Sequence, residues 1–282
     1  MGSPTIHRYR SGERGLFVNS YLVESEYGVV AVDSPLLISD GAAFRARFEA
    51  LHKPLAAVLL THPHPDHYNT VAHLLAGDEA PVVALPRVDE VIRRDDASKR
   101  TLWGPVFGDE WPTSALFPTA VAQDGATLSF AALTFHAYDL GRGESESETA
   151  WLLDSDDGAV AFVGDLVFND MHVYLADGMT GEWIESLDRA RSMFRAQGVR
   201  ELFVGHGDPT GLHSLQGQKS YLLFVREAVR RLGGAEASLD ADARRELTRL
   251  LREFAPTAAL DWLIEAGCDA VAAELSREHA VV

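Results

Sequence analysis

Apolar residues in the first half of the chain occur in short β-branched stretches that alternate with segments of helical spacing. The stretches predict strands, which lie at 16–23, 27–32, 55–60 and 81–85. Intervals of three and four residues predict helices, which lie over 40–51, from Pro65 onward, and over 86–99. The uninterrupted run LAAVLL is typical of a strand that is buried on both faces.

The second half repeats this order and then becomes helical. Apolar stretches separated by turn signals predict strands at 128–138, 149–153, 159–163 and 202–204. A helix is predicted over 181–197, and helical spacing continues from Leu212, with a break at Gly233-Gly234. Strands that end in polar tips and alternate with helices predict a layered α/β protein, although the pattern alone does not decide the topology.

Length and composition narrow the class of protein. With 282 residues, of which 46% are hydrophobic, the chain can bury one large core, so wholesale disorder is excluded. No apolar run approaches 18 residues, and residues 1–15 have arginines without a following apolar stretch. We therefore expect no membrane span, no secretory signal and a cytoplasmic location.

The balance of charge and the single cysteine exclude further classes. The chain has 25 Lys and Arg against 42 Asp and Glu, a formal net charge of −17, which repels nucleic acid and anionic lipid. Cys268 has no partner for an internal disulfide and cannot build a thiolate cluster, so we expect a small buried side chain. Of the possible binding partners, we therefore expect a small-molecule substrate. The sequence leaves the oligomeric state open.

The strongest chemical signal is the string HPHPDH, which directly follows the LAAVLL strand. Imidazole and carboxylate together suit zinc, manganese or iron. In an extended strand tip, His62 and His64 are two residues apart and point the same way, so both can reach one ion. Asp66 and His67 begin a helix and are displaced sideways, where they suit a second ion.

This string resembles the H-x-H-x-D-H motif of the metallo-β-lactamase superfamily. Other matches follow in the family's order: Asp33 after YGVVAV, Asp165 in a GD pair after AVAFV, and His206 in a GHG segment after LFV. The resemblance spans about residues 15–210. It implies an αββα sandwich with a metal centre at the edges of the sheets, followed by a helical C-terminal extension.

The end of the resemblance and the helical spacing beyond it predict a domain division, with residues 1–210 as the αββα domain and residues 211–282 as a helical extension packed on it. The resemblance also implies a set of roles. Two zinc ions are expected, with manganese or iron as alternatives, and the implied ligands are His62 and His64 for the first ion, Asp66, His67 and His206 for the second, and Asp165 as a bridge. Asp33 orients the loop or a histidine. Tyr68 and His172 are candidates to face the substrate.

One family element is missing, because GRGES stands where a third histidine for the first metal is expected. Glu144 replaces that histidine as a ligand, or His172 or His136 completes the site, or the site is weak and completed by water. A coordinating Glu144 makes the centre neutral, which weakens its Lewis acidity. Its oxygen ligand also shifts the preference of the site toward manganese or iron. Glu146 and Glu148 are expected in a solvated acidic loop.

The predicted function is a metal-dependent hydrolase that uses a metal-bound hydroxide to attack an ester, lactone, thioester or amide carbonyl, with Asp66 steering the proton. A mononuclear iron dioxygenase and a metal-binding protein with little catalysis are the alternatives. The surface charge favours an uncharged or weakly anionic substrate. Residues 103–117 could provide an apolar wall, and Arg142 or the metals themselves could instead attract anions.

Overall fold

A computed structural model of the chain describes residues 3–233 and 236–281. Two β-sheets lie face to face, and helices cover the outer face of each sheet. This arrangement confirms the predicted αββα sandwich. Met1, Gly2 and half of the predicted Gly233-Gly234 break lie outside the described residues.

The first sheet has six strands in sequential order. They are β1 (Thr5–Arg10), β2 (Asn19–Glu24), β3 (Val29–Val32), β4 (Leu55–Leu59), β5 (Val82–Ala84) and β6 (Ala120–Val121). The strands β1, β2 and β3 pair antiparallel, whereas β3 to β6 are parallel. The helices that follow these strands are α1 (Ile38–Glu49), α2 (Pro65–Tyr68), α3 (Val71–Leu75) and α4 (Pro86–Phe107). Parallel strands need crossover connections, which α1 and the α2–α3 pair supply.

The second sheet has five strands in the order β11-β10-β9-β8-β7. They are β7 (Thr127–Phe130), β8 (Leu133–Gly141), β9 (Glu148–Leu153), β10 (Val160–Phe168) and β11 (Glu201–His206). Only β10 and β11 are parallel. The helices of this half are α5 (Thr180–Ala196), α6 (His213–Gly233), α7 (Ala241–Phe254) and α8 (Trp262–Val281).

Strand β10 shows how the layers are joined. Ala161 and Val163 pack into the apolar cluster that the sheet forms with α5 to α8. Val160 and Phe162 alternate with them and pack into the cluster that contains the first sheet and its helices. Alternate residues of a strand point to opposite faces, so a continuous apolar run is what a strand buried on both sides requires.

The helix predicted from Pro65 is broken into two short helices, α2 and α3. The carbonyl of His67 accepts a hydrogen bond of 2.9 Å from the backbone N–H of Ser34. The hydroxyl of Thr70, at the junction, donates to the carbonyl of Pro35. Both hydrogen bonds tie the junction between α2 and α3 to the loop after β3. Tertiary contacts therefore determine where the predicted helix breaks.

Other elements also differ from their predictions, among them a hairpin, helix α4 and strand β1. The strand predicted over 128–138 is a hairpin, because Ala131 and Ala132 both have positive φ and form a two-residue turn without Gly or Asn. Helix α4 continues to Phe107, well beyond its predicted end, because the apolar spacing continues through Leu102 and Trp103. Strand β1 was not predicted.

The C-terminal helices pack on the second sheet through one shared apolar cluster, which includes Leu222, Leu251 and Val271. The division of the chain at residue 210 stays a prediction. Within the described residues, no helix has both the length and the apolar character that crossing a bilayer demands.

Candidate metal centre

The residues of the predicted centre meet where strands of both sheets end. The HPHPDH string connects β4 to α2, and Asp165 lies within β10. His206 is the last residue of β11, and Glu144 lies in the connection between β8 and β9. The ends of neighbouring strands therefore bring together residues that are up to 144 positions apart in the sequence, His62 and His206 among them.

One group of buried side chains consists of His62, His64 and Glu144. Glu144 Oε2 lies 2.7 Å from His64 Nδ1 and 3.6 Å from His62 Nε2. Two imidazoles and one carboxylate converge here, where the sequence resemblance led us to expect three histidines. The geometry matches the predicted replacement, and coordination by Glu144 stays a prediction.

A second group consists of Asp66, His67, Asp165 and His206. His206 Nε2 lies 3.3 Å from Asp66 Oδ2 and 3.2 Å from Asp165 Oδ2. His67 Nε2 lies 3.3 Å from Asp165 Oδ1. Asp165 Oδ2 is also 3.9 Å from His62 Nε2 of the first group, so Asp165 stands between the two groups as a bridging ligand would.

Neighbouring groups fix the orientation of the histidine rings. Asp33 Oδ2 lies 2.9 Å from His67 Nδ1, and it also accepts a hydrogen bond of 2.7 Å from the Thr61 hydroxyl. The same hydroxyl lies 3.0 Å from His62 Nδ1. Both rings therefore direct Nε2 toward the centre, and Asp33 occupies the orienting position predicted for it.

Contacts with neighbouring groups also fix the ring orientations of His206 and His64. The carbonyl of Leu16 lies 2.9 Å from His206 Nδ1, which leaves Nε2 directed inward. His64 is turned the other way, since its Nε2 lies 3.3 Å from Asp177 Oδ2 and its Nδ1 faces Glu144. Asp177 could not be identified from the sequence, because it lies 113 positions from His64 and belongs to no motif.

Four buried polar atoms at this centre make no aligned hydrogen bond to any described residue, although Glu144 Oε2 and Asp165 Oδ1 lie close to histidine nitrogens. They are His62 Nε2, His67 Nε2, Glu144 Oε2 and Asp165 Oδ1. Buried polar groups without partners are costly and call for an explanation. These atoms belong to both groups and are of the types that bind divalent zinc, manganese and iron. The residues present therefore fit a metal centre.

The charges at the second group favour a cation. Burial opposes the charged form of His67 and His206, but the nearby carboxylates of Asp165 and Asp66 outweigh the effect of burial. The pKa of His67 is therefore raised well above its ordinary value, and the pKa of His206 is raised to about 9. Although burial opposes ionisation, the histidines hold the pKa of Asp165 well below its ordinary value. Buried carboxylates that favour positive charge at this position also favour a bound cation.

The glutamates between β8 and β9 have different surroundings. Burial raises the pKa of Glu144 to about 8, with His64 opposing, and burial raises the pKa of Glu148 to about 7. Glu148 is buried and accepts from the backbone and hydroxyl of Ser145, so its prediction as a solvated side chain was wrong. Glu146 is partly exposed and pairs with two arginines, Arg87 and Arg94.

The other histidine candidates lie elsewhere. His136 is on β8 with Asp154 and Thr127, away from both groups, so it does not complete the site. His172 is buried, with Nδ1 2.9 Å from the hydroxyl of Tyr221, and it belongs to neither group. Its predicted metal or substrate contact is therefore not what the structure shows.

Tyr68 is fully buried in the core of the first half. Its hydroxyl lies 3.5 Å from Asp96, and the ring does not line the cavity at the centre. The prediction that Tyr68 faces the substrate is corrected on this point.

A cavity of about 220 Å³ opens directly over both groups. Helix α4 contributes Leu102, Trp103 and Phe107, which confirms the position of the apolar wall but places it on a helix. Lys99, on the same helix face, also lines the cavity and donates a hydrogen bond of 2.8 Å to the carbonyl of Pro63. Its spacing with Leu102, Trp103 and Phe107 is a helical signal that could have identified it from the sequence.

Two glycines leave room for these side chains. A Cβ on Gly205 would collide with Asp165 Oδ1. Gly164 has φ of +51°, and a Cβ there would lie 2.5 Å from Thr61 Oγ1 and 2.9 Å from His62 Nδ1. Glycine is therefore required in both pairs, GD and GH, for steric reasons.

The sequence matches the family described as the beta-lactamase superfamily domain over residues 35–190, more than half of the chain. The match covers the HPHPDH string, Glu144 and Asp165, so it includes most of the centre. The chain belongs to this superfamily. A search of curated proteins finds no match.

Solved structures with the same fold include proteins of similar length. A metallo-beta-lactamase family protein from Thermus thermophilus has 19% identity and a TM-score of 0.68, covering 98% of this chain and 94% of that one. A beta-lactamase domain protein from Burkholderia ambifaria has 18% identity and the same TM-score of 0.68, covering 98% and 86%. At these identities the likeness shows the fold.

A third structure is described as the first B3 metallo-beta-lactamase with an active-site glutamic acid. It has 20% identity and a TM-score of 0.56, and the match covers 76% of this chain and 85% of that chain. This match, too, shows the fold.

Proposed function

We propose that the protein is a metal-dependent hydrolase of small carbonyl compounds, such as esters, lactones, thioesters or amides. The observation that carries this proposal is the convergence of two candidate ligand groups, joined by Asp165, beneath a single cavity. Bound divalent ions supply Lewis-acid polarisation of a carbonyl oxygen and a water nucleophile near neutral pH. Two zinc ions are the preferred content, with manganese or iron as alternatives.

The chain's own residues have separate tasks in this proposal. His62, His64 and Glu144 hold one ion, and the other is held by Asp66, His67 and His206, with Asp165 shared. Asp66 also lines the cavity, and its neighbours keep its pKa below its ordinary value despite burial, so it is present as a carboxylate that can accept a hydrogen bond from the attacking water and orient it. The apolar wall excludes other water from the reacting group.

The direct experiment measures hydrolysis of a panel of neutral aryl esters and lactones by protein whose metal content is known. Chelator-treated protein should have no activity, and zinc, manganese or iron should restore it. An Asp66→Asn variant should lose at least about a hundredfold in rate, whereas Asp156→Asn, an exposed turn residue, should not change it. Equal turnover by metal-free and metal-loaded protein would refute the proposal.

A second candidate is a mononuclear iron dioxygenase of the same fold. The observation that favours it is the first group, because His62, His64 and Glu144 form a set of two histidines and one carboxylate, the ligand type of non-haem iron oxygenases. The relative with an active-site glutamic acid supports the hydrolase, since its description names a metallo-beta-lactamase. Oxygen uptake by iron-loaded protein with a thiol or persulfide substrate, without ester hydrolysis, would establish the dioxygenase.

A further inference from the structure

Part of the cavity wall comes from a segment far along the chain from His206. Leu260, Trp262 and Leu263 line it, at and just before the start of α8. Leu260 and Leu263 are buried, whereas Trp262 is 45% exposed and stands at the rim. This segment belongs to none of the motifs that identify the metal centre.

The backbone of this segment is tied to the loop that follows β10. Met171 and Ala259 form a parallel β-bridge. The backbone N–H of His172 donates to the carbonyl of Ala259 at 2.9 Å, and the N–H of Ala259 donates to the carbonyl of Asp170 at 3.2 Å. The wall is therefore anchored to the strand that carries the bridging aspartate.

The side chain of His172 adds a second anchor. Its ring is buried, with Nδ1 2.9 Å from the Tyr221 hydroxyl, and Nε2 faces Asp261 Oδ1 at 3.4 Å without an aligned hydrogen bond. The other carboxylate oxygen of Asp261 accepts a hydrogen bond of 2.7 Å from Arg252. Asp261 lies between two residues that line the cavity, Leu260 and Trp262, so a shift of its carboxylate moves the wall.

The conformation of Leu260 shows that the surroundings determine this wall. Its φ is +65°, in the left-handed region that side-chain-bearing residues rarely adopt. Such a conformation persists only where neighbouring contacts enforce it. The bridge at Ala259 lies on one side of Leu260, and on the other side Asp261 faces His172 and accepts a hydrogen bond from Arg252.

The cavity is small and largely apolar. Among the described lining residues, Lys99 and the candidate ligands are the charged or titratable ones, apart from the phenol of Tyr174. An apolar protein cavity of roughly 150 Å³ accommodates benzene. A volume of about 220 Å³ therefore suits one ring with a small carbonyl substituent.

We propose that residues 259–263 are the size-limiting wall of the substrate cavity and that His172 is the positioning residue that holds them. The substrate class is then a carbonyl compound whose apolar part is one ring or an alkyl group of similar size. The chemical step rests on the proposed hydrolase function, but the size limit applies to binding and does not require turnover.

The test is a comparison of affinities of the metal-loaded protein for acetophenone and 2-acetylnaphthalene, measured by ligand-observed NMR titration. Both are neutral ketones that hydrolysis cannot consume. The larger ketone buries more apolar surface and would normally bind more tightly. At least tenfold tighter binding of acetophenone is expected and would show a steric limit.

Substitutions test which residues set the size limit of the cavity. Trp262→Ala, at a half-exposed position, should reduce the preference below about threefold by improving the affinity for the naphthyl ketone. His172→Phe keeps the buried ring but loses both polar contacts, and it should relax the preference similarly. Asp261→Asn keeps an oxygen facing His172 and should retain the preference. Tyr27→Ala removes an exposed aromatic residue between β2 and β3 and serves as the control.

Equal affinity of the unaltered protein for both ketones would overturn the proposal that residues 259–263 limit the size of the ligand. An unchanged preference for acetophenone in Trp262→Ala would overturn it as well. An unchanged preference in folded His172→Phe would overturn the positioning role. If that variant does not fold, Asp261→Ala tests the same contact, and an unchanged preference there would overturn the positioning role equally. A size limit without ester hydrolysis counts against the proposed function only, whereas hydrolysis without a size limit counts against this inference only.

Discussion

Asp33 and His67 are joined by a contact of 2.9 Å between a carboxylate oxygen and Nδ1, and both side chains are buried. Asp33 has a positive φ of 60° directly after β3, and it also accepts from the backbone N–H and hydroxyl of Thr61. A single carboxylate therefore connects the early strand to both ends of the HPHPDH string. It fixes which nitrogen of His67 faces the centre.

Asp33→Asn should weaken metal binding about 10- to 100-fold, because the amide replaces the charged acceptor that orients His67. The affinity can be measured by competition with a chromophoric chelator. Asp156→Asn makes the same change of charge at an exposed turn and is the matched control. Equal affinities in both variants would show that Asp33 has no orienting role.

Glu144→Gln should lose about one ion per chain when metal is supplied at limiting concentration, because it removes the only carboxylate of the first group. Glu146→Gln changes a residue two positions away that pairs with surface arginines, and it should keep full metal content. The measurement is metal analysis by mass spectrometry after dialysis. The same loss in both variants would indicate a general effect of charge in this loop.

Glu144→His should raise the preference for zinc over manganese, because an imidazole replaces an oxygen ligand. The two metals can be supplied in equal amounts and the bound ratio determined by mass spectrometry. A bound ratio equal to that of the unaltered protein would count against coordination through residue 144.

The buried ion pair between Arg226 and Glu274 should be important for stability. Glu274 accepts from Arg226 at 2.8 Å and from the backbone N–H groups of Thr180 and Gly181 at the start of α5, and so joins α5, α6 and α8. Arg226→Met leaves this carboxylate without its buried partner and should cost about 3–5 kcal/mol.

Urea unfolding of metal-loaded protein measures the effect of Arg226→Met. The control is Arg231→Met, which breaks an exposed pair with Glu227 on α6 and should cost no more than about 0.5 kcal/mol. Similar losses in the two variants would contradict the assigned importance of the buried pair.

His172 should make the protein less stable in acid. Burial lowers the pKa of His172, with Asp261 opposing and Arg252 adding to the effect. The unfolded chain binds a proton near pH 6.5, and the folded chain binds it only at a lower pH, so stability falls as the pH drops below about 6.5. The loss from this one group is at most about 1.4 kcal/mol per pH unit.

The measurement compares free energies of unfolding of the unaltered protein and His172→Phe between pH 7 and pH 5. Groups common to both proteins cancel in the difference, so the variant should lose less stability on acidification. An equal or larger loss in the variant would contradict the depressed pKa of His172.

The sequence predicts the centre well where its residues belong to local motifs. The HPHPDH string, Asp165 and His206 each follow an apolar stretch of sequence that predicts a strand, and strand ends meet at a sheet edge, so their convergence follows from the pattern. Asp177 and the Leu260–Leu263 wall could not be predicted in this way. Asp177 lies in the loop between β10 and α5, and the wall lies at the start of α8, so both reach the centre through tertiary contacts that leave no periodic signal.

The fold predictions fail for related reasons. The turn at Ala131-Ala132 lacks the Gly or Asn that usually marks positive φ, so the hairpin resembled one strand. Burial of Glu148 depends on Ser145, whose backbone and hydroxyl satisfy one carboxylate oxygen. An acidic loop in sequence does not reveal which of its members finds such partners.

The most direct test of the central claim is anomalous diffraction from crystals of metal-loaded protein, recorded on both sides of the absorption edge of the added metal. Two anomalous peaks are predicted, each about 2.0–2.3 Å from its ligand atoms. One should be bounded by His62, His64 and Glu144, the other by Asp66, His67 and His206, with Asp165 in contact with both. Peaks remote from these side chains, or no peak in protein shown to contain metal, would contradict the account.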